Sequence, residues 1–247
     1  MGYFEPPHVL SNTLSLFFEK QDDIKGRSKE VENILNELLP NTYSLSAVLS
    51  IPDQADPSLP RIVFNSAVDY SQVFVSQINI TIQVNYPEDR QADFTKIKQD
   101  VARRMSVLFN IARKANLECL YGGILSSVVL YFNGEDRELI EILSKKLLRI
   151  DYTNTHDIEI KITTCEGKFY KNLTYRNFRD WDTQIHYHTI RLSDRDIKRR
   201  GVLIVCDYND RYAYNESLDY KTSESITDDI IEGTFNTINE SIELLKS

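Results

Sequence analysis

The chain has 247 residues, 41% of them hydrophobic and 27% charged. These values are ordinary for globular proteins and exclude a disordered chain, a collagen-like repeat and a disulfide framework. At about 100 to 200 residues per domain, the length allows one or two units. Thirty-seven acids against 29 bases leave a net charge of −8, which argues against a surface that grips nucleic acid or anionic lipid over its whole extent.

Taken in chain order, Pro6-Pro7 break any helix, and residues 8–18 alternate apolar and polar side chains as a strand does. Ser28 then opens a helix with Val31, Ile34, Leu35, Leu38 and Leu39 on one side, closed by Pro40. Residues 42–51 read as a strand, 52–60 as a surface loop broken by three prolines, and 61–65 as an extended run. Residues 71–86 show the clearest period of two and predict one long strand, bent once. Phe94, Ile97, Val101, Met105, Leu108 and Ala112 predict a helix over 87–116. Residues 118–132 form the next strand, with a bulge or bend at Gly122-Gly123, and 136–148 a further amphipathic helix. Beyond residue 157 four strands are expected, at 157–164, 168–178, 184–192 and 202–208, joined as an antiparallel meander and followed by a helix over 223–245. The expected fold is α+β in two halves, 1–150 and 151–247, each a mainly antiparallel sheet with helices packed on one face.

Three cysteines, Cys119, Cys165 and Cys206, fall at no zinc or disulfide spacing. With Glu5 and two prolines where a signal peptide needs an apolar run of about seven residues or more, they predict a cytoplasmic location. Pro6 stands where a myristoylation motif requires Ser or Thr.

The opening Glu5-Pro6-Pro7-His8-Val9, the run Leu59-Pro60-Arg61-Ile62-Val63-Phe64, the Gly122-Gly123 strand and Leu203-Ile204-Val205-Cys206-Asp207 ahead of the last helix together resemble a family of sporadically distributed, uncharacterised bacterial and archaeal proteins of about this length. Where that family continues its opening into an Ile/Glu-rich strand, this chain has Ser11-Asn12-Thr13. The resemblance implies a fold and a bacterial origin; it carries no catalytic residues.

Several patterns bear on chemistry. Glu159 and Lys161 form the Glu-x-Lys of restriction-type nucleases, in which a strand carboxylate holds a divalent metal and the lysine orients water; Asp151 is the upstream acid, closer than that motif's usual gap. The alternation with Ile158, Ile160 and Ile162 is equally that of any half-buried strand, which is the favoured reading. His186 and His188 project from one strand face about 6 to 7 Å apart, as in a His-x-His metal site with Asp207 or His156 as further ligands, but two histidines on the wet side of an antiparallel sheet need no ligand, which is the favoured reading. Asp207-Tyr208-Asn209-Asp210 suits either magnesium at a strand end or, by preference, a turn. No phosphate loop, nucleophile elbow or cofactor motif is legible, so no catalytic residue and no cofactor are assigned.

Charge is unevenly spread. Residues 168–200 carry nine bases and four acids, and residues 201–247 three bases and ten acids. The basic stretch also holds Tyr175, Phe178 and Trp181 among Arg176, Arg179, Arg195 and Arg199, the residue types that dominate protein interfaces and stack on bases. These seven residues are the expected interaction surface. The expected function is a non-enzymatic protein-binding or regulatory subunit, its partner another protein such as a toxin or an anti-phage effector. The alternatives are a metal-dependent nuclease or phosphodiesterase, through Glu159, His186, His188 and Asp207, and a nucleic-acid-binding module.

Overall fold

A computed structural model describes residues 3–148, 155–181 and 196–247. Among the described residues, nine strands form one antiparallel sheet: β1 (Tyr3–Phe18), β2 (Tyr43–Val48), β3 (Ile62–Ser66), β4 (Ser71–Val75), β5 (Asn79–Asn85), β6 (Cys119–Asn133), β7 (Glu159–Glu166), β8 (Phe169–Trp181) and β9 (Ile197–Asn209), in the spatial order β2-β3-β4-β5-β1-β6-β9-β8-β7. The helices are α1 (Ser28–Leu38), α2 (Phe94–Lys114), α3 (Asp136–Leu143), α4 (Arg211–Glu216) and α5 (Thr227–Lys246). The expected strand at 184–192 lies outside the described residues. No helix among the described residues is long and apolar enough to cross a membrane.

The α+β class and the antiparallel pairing are as expected; the separation into two sheets is not. β6 of the first half pairs with β9 of the second from Gly123↔Asn209 to Tyr131↔Gly201, so a single sheet crosses the boundary near residue 150. The reason lies in β6, where Val128, Leu130 and Phe132 are buried and both edges need a neighbour; β1 supplies one and β9 the other.

Three elements differ in extent from the sequence reading. The strand predicted over 71–86 is a hairpin: the Ser76 hydroxyl accepts the N–H groups of Ile78 and Asn79 and reverses the chain between β4 and β5. β1 begins ahead of Pro6-Pro7, which sit at a register shift where only β6 flanks the strand, so the missing N–H groups cost no ladder bond. α2 starts later than predicted, at Phe94, because the Asp93 carboxylate caps it by accepting the Lys96 N–H at 3.0 Å. The proline loop is as expected. It is held from beneath by Arg61, which is fully buried and donates to the carbonyls of Leu59 at 2.8 Å, Asp56 at 3.2 Å and Pro52 at 3.3 Å.

The core lies on one face of the sheet. Leu14 and Leu16 of β1, Ile80 and Ile82 of β5, Ile124 and Val128 of β6, and Ile204 and Cys206 of β9 are buried, packed with Val101, Met105 and Leu108 of α2 and Ile230, Ile238 and Ile242 of α5. The alternate residues, such as Thr13, Gln83, Asn172 and Asp207, point to the opposite face, which is largely polar.

A basic and aromatic corner and a buried arginine centre

Parity along β8 divides the expected interaction surface. Tyr175 points toward the helices, and its hydroxyl donates to Ser241 Oγ of α5 at 2.8 Å, so it is a core residue. Arg179 shares that parity: its side chain is 7% exposed, forks onto the Asp136 carboxylate at the start of α3 at 2.9 and 2.6 Å, and reaches Asp157 at 2.6 Å. It ties β8 to α3 and to the segment ahead of β7, a positioning role rather than a free surface. Hydrogen bonds from Asn177 and then Arg179 hold the Asp157 carboxyl down at about 2.

Arg176 and Phe178 take the other face. Arg176 is exposed; Phe178 is half-buried edge-on to Tyr131, with ring centroids 6.1 Å apart. The Arg199 guanidinium lies 4.8 Å over the same Tyr131 ring and pairs with Glu88 at 2.6 Å and Asp180 at 3.0 Å. Trp181 is half-buried at the end of β8, opposite Ile197. Arg195 lies outside the described residues. Beside this corner is a pocket of about 350 Å³, with Glu5, Tyr131, Gly134 and the consecutive cations Lys198, Arg199 and Arg200 in its walls.

Of the residues of the metal reading, the described members Glu159 and Asp207 do not come together. His186, His188 and Asp151 lie outside the described residues. Glu159 sits on β7, two strands across from β9 and four residues along from the level of Asp207. At about 4.8 Å per strand and 3.3 Å per residue, that separation is about 16 Å. Asp207 is engaged locally, accepting from Asn172 at 3.0 Å and Asn209 at 2.9 Å. Among the described residues no group of three or more His, Cys, Asp or Glu side chains is placed to hold a metal ion. In place of the predicted turn at 207–210, β9 runs through Asn209. Asp210, fully buried, then accepts the Gly122 N–H at 2.6 Å and the Tyr220 hydroxyl at 2.7 Å. Burial pushes the Cys119 thiol up to about 11 and that of Cys206 up to about 12, which removes both as nucleophiles. Cys165 is exposed on β7.

A polar centre that sequence reasoning missed surrounds Arg104 of α2. Its guanidinium is 4% exposed and donates to Asp100 at 2.7 Å, Asp69 at 2.6 Å, the Tyr43 hydroxyl at 2.6 Å and Ser71 Oγ at 3.2 Å. Burial lowers the guanidinium's proton affinity, but Tyr43, Asp100 and Asp69 more than offset that and hold it charged. Asp100 also meets the Tyr86 hydroxyl at 3.4 Å; Tyr86 accepts from Asn12 at 3.1 Å, and Asn12 accepts from Ser126. This chain floors a cavity of about 610 Å³ between α2 and the segments on either side of β4 and β5, rimmed by Val68, Tyr70, Arg90, Lys96 and Arg103. The only local sign of it was the i,i+4 pair Asp100 and Arg104, since the other partners come from 33 to 61 residues away.

No family model matches the sequence, and no curated protein matches it.

Proposed function

We propose that the protein is a non-enzymatic, cytoplasmic binding or regulatory subunit, and that the corner formed by Arg176, Phe178, Trp181 and Arg199 receives an acidic segment of a protein partner. In this reading residues 1–150 supply the scaffold and the Tyr131 wall of the pocket, and residues 151–247 the basic recognition strands, in keeping with the bacterial family that the sequence resembles. The observation that carries it is local charge reversal. On a chain of net charge −8, three successive cations and the Tyr131 ring line one pocket. Lys198 of that pocket is exposed, and so is Arg176 further along β8, opposite Leu203; neither has an ion-pair partner among the described residues. Cations beside aromatic rings at a pocket edge favour carboxylates flanked by apolar groups.

The test is binding of a labelled Asp/Glu-rich peptide, with a single-stranded oligonucleotide of equal length alongside. Arg176→Glu combined with Lys198→Glu is expected to leave the melting temperature unchanged and to weaken peptide binding by about tenfold or more, since reversal adds repulsion as well as removing attraction. Undiminished peptide binding by the double variant removes the corner. Oligonucleotide bound more tightly than peptide replaces a protein partner with nucleic acid.

A further inference from the structure

β7 ends the sheet, and among the described residues no strand pairs with its outer edge. Its side chains are exposed apart from half-buried Ile160, and Ile162 is 42% exposed. Such an edge is a template for another strand. Its backbone is set for one: the Asn177 N–H donates to the Ile158 carbonyl at 3.2 Å, which turns the peptide groups of even-numbered residues toward β8 and those of Glu159, Lys161 and Thr163 outward.

We propose that β7 pairs antiparallel with β7 of a second copy of this chain, across a two-fold axis at Ile160. A two-fold normal to the sheet keeps both helix layers on one side and places residues of like parity opposite each other, so the axis must pass at a residue rather than between two. An axis at Lys161 sets that cation against its own copy. Axes at Ile162 or Thr163 set Lys161 against Thr163 or Cys165, with no charge match. The axis at Ile160 alone satisfies both faces. On the polar face Glu159 meets Lys161 of the other copy, twice, and neither has an ion-pair partner within the described residues. On the helix face Ile160 meets Ile160, and exposed Ile162 comes opposite Ile158, which lies just ahead of β7 and is already buried in its own core. Arg176 stands beside Glu159 on β8, so the row alternates in sign from Arg176 to Glu159 to the second copy's lysine. The strand is thus complementary to itself, which points to a second copy as the occupant. A single ladder of this length buries less than a standard interface, so the dimer is reversible and depends on concentration.

Sedimentation velocity over a concentration series tests it. Glu159→Lys and Lys161→Glu, each singly, are expected to raise the dimer dissociation constant by about tenfold or more, and the double swap to restore it. Ile160 faces its mate as a non-hydrogen-bonded pair, with Cα atoms about 4.5 Å apart, within disulfide reach. Ile160→Cys in a Cys165→Ser background should therefore give a covalent dimer on mild oxidation, and Ile162→Cys should not. A chain monomeric at every concentration, a dimer indifferent to both single charge changes, or cross-linking through position 162 instead of 160 would overturn the proposal. The charge variants lie at exposed positions, so the answer does not depend on how well Ile160→Cys folds.

Discussion

Arg176 and Arg179 stand three residues apart on one strand, and the period of two gives them opposite fates: one faces solvent, while the other is clamped between Asp136 and Asp157. The alternation was visible in the sequence, but not which parity faces the helices, because β8 carries aromatic residues on both sides. Pairing partners decide it, and Asp136 and Ser241 are 43 and 66 residues away. The clamp has a pH signature. The Asp157 carboxyl lies at about 2 when folded, below the value of about 3.9 for a free aspartate. A carboxyl with a depressed folded pKa contributes stability that is complete above the unfolded value and is lost as pH falls through the folded one, here between about pH 4 and pH 2. Asp157 is 72% exposed, so solvent screening keeps that contribution small. The pKa itself is the better readout. Carbon-13 NMR titration of the Asp157 carboxyl is expected to give a midpoint near 2, and Arg179→Gln to move it up toward the ordinary aspartate range. An unchanged midpoint in Arg179→Gln would assign the depression to Asn177 and His156.

At the scale of elements, those with a sustained apolar period were legible: β1, α2, β6 and α5 stand over the apolar residues that announced them, although β1 begins earlier and α2 later than read, and β6 passes Gly122-Gly123 in register, without the expected bulge. The β4–β5 hairpin was not, because its turn, Ser76-Gln77-Ile78, contains neither Gly nor Pro and the apolar alternation resumes directly beyond it. The turn is made by the Ser76–Asn79 backbone hydrogen bond and by the Ser76 hydroxyl, which accepts the N–H groups of Ile78 and Asn79 and donates to Asn79 Oδ1, none of which an apolar pattern reveals. The same blindness hid how α2 is fixed. Its apolar stripe places it over the sheet, whereas Arg104 locks it to Tyr43 at the start of β2, Ser71 at the start of β4 and Asp69 between β3 and β4. Removing one side of a buried ion pair leaves the other uncompensated, so Arg104→Ala is expected to lower unfolding stability by about 3 to 5 kcal/mol in urea titrations. Arg104→Lys should recover only part of this, because an ammonium cannot span both carboxylates in one plane as the guanidinium does. A loss below about 1 kcal/mol for Arg104→Ala would mean that water entering from the adjoining cavity satisfies Asp69 and Asp100 in the arginine's place.

For the whole molecule, the change of character near residue 150 suggested two sheets, because a run of hairpin-linked strands reads as a unit and nothing local announces that β6 and β9 are neighbours. The pairing closes a large loop in the chain, and its signal is only that both strands are apolar along one face and need two flanking strands each. The helices reinforce the join. α5, from the end of the chain, packs on β6 as well as β9 and meets α2 through Phe94 and Phe235, Lys98 and Glu232, and Ser106 and Glu224 ahead of it. Separating residues 1–148 from 155–247 would strip β6 of one ladder and uncover Val128, Leu130 and Ile204, which are fully buried. At about 25 cal/mol per Å² of apolar surface, such exposure is comparable with the whole net stability of a domain. Neither half should therefore persist folded while the other unfolds. Differential scanning calorimetry is expected to show one transition, with the calorimetric and van't Hoff enthalpies equal. Two resolved transitions, or an enthalpy ratio well away from one, would mean that the halves fold separately and that the β6–β9 seam is an interface between domains rather than the middle of one sheet.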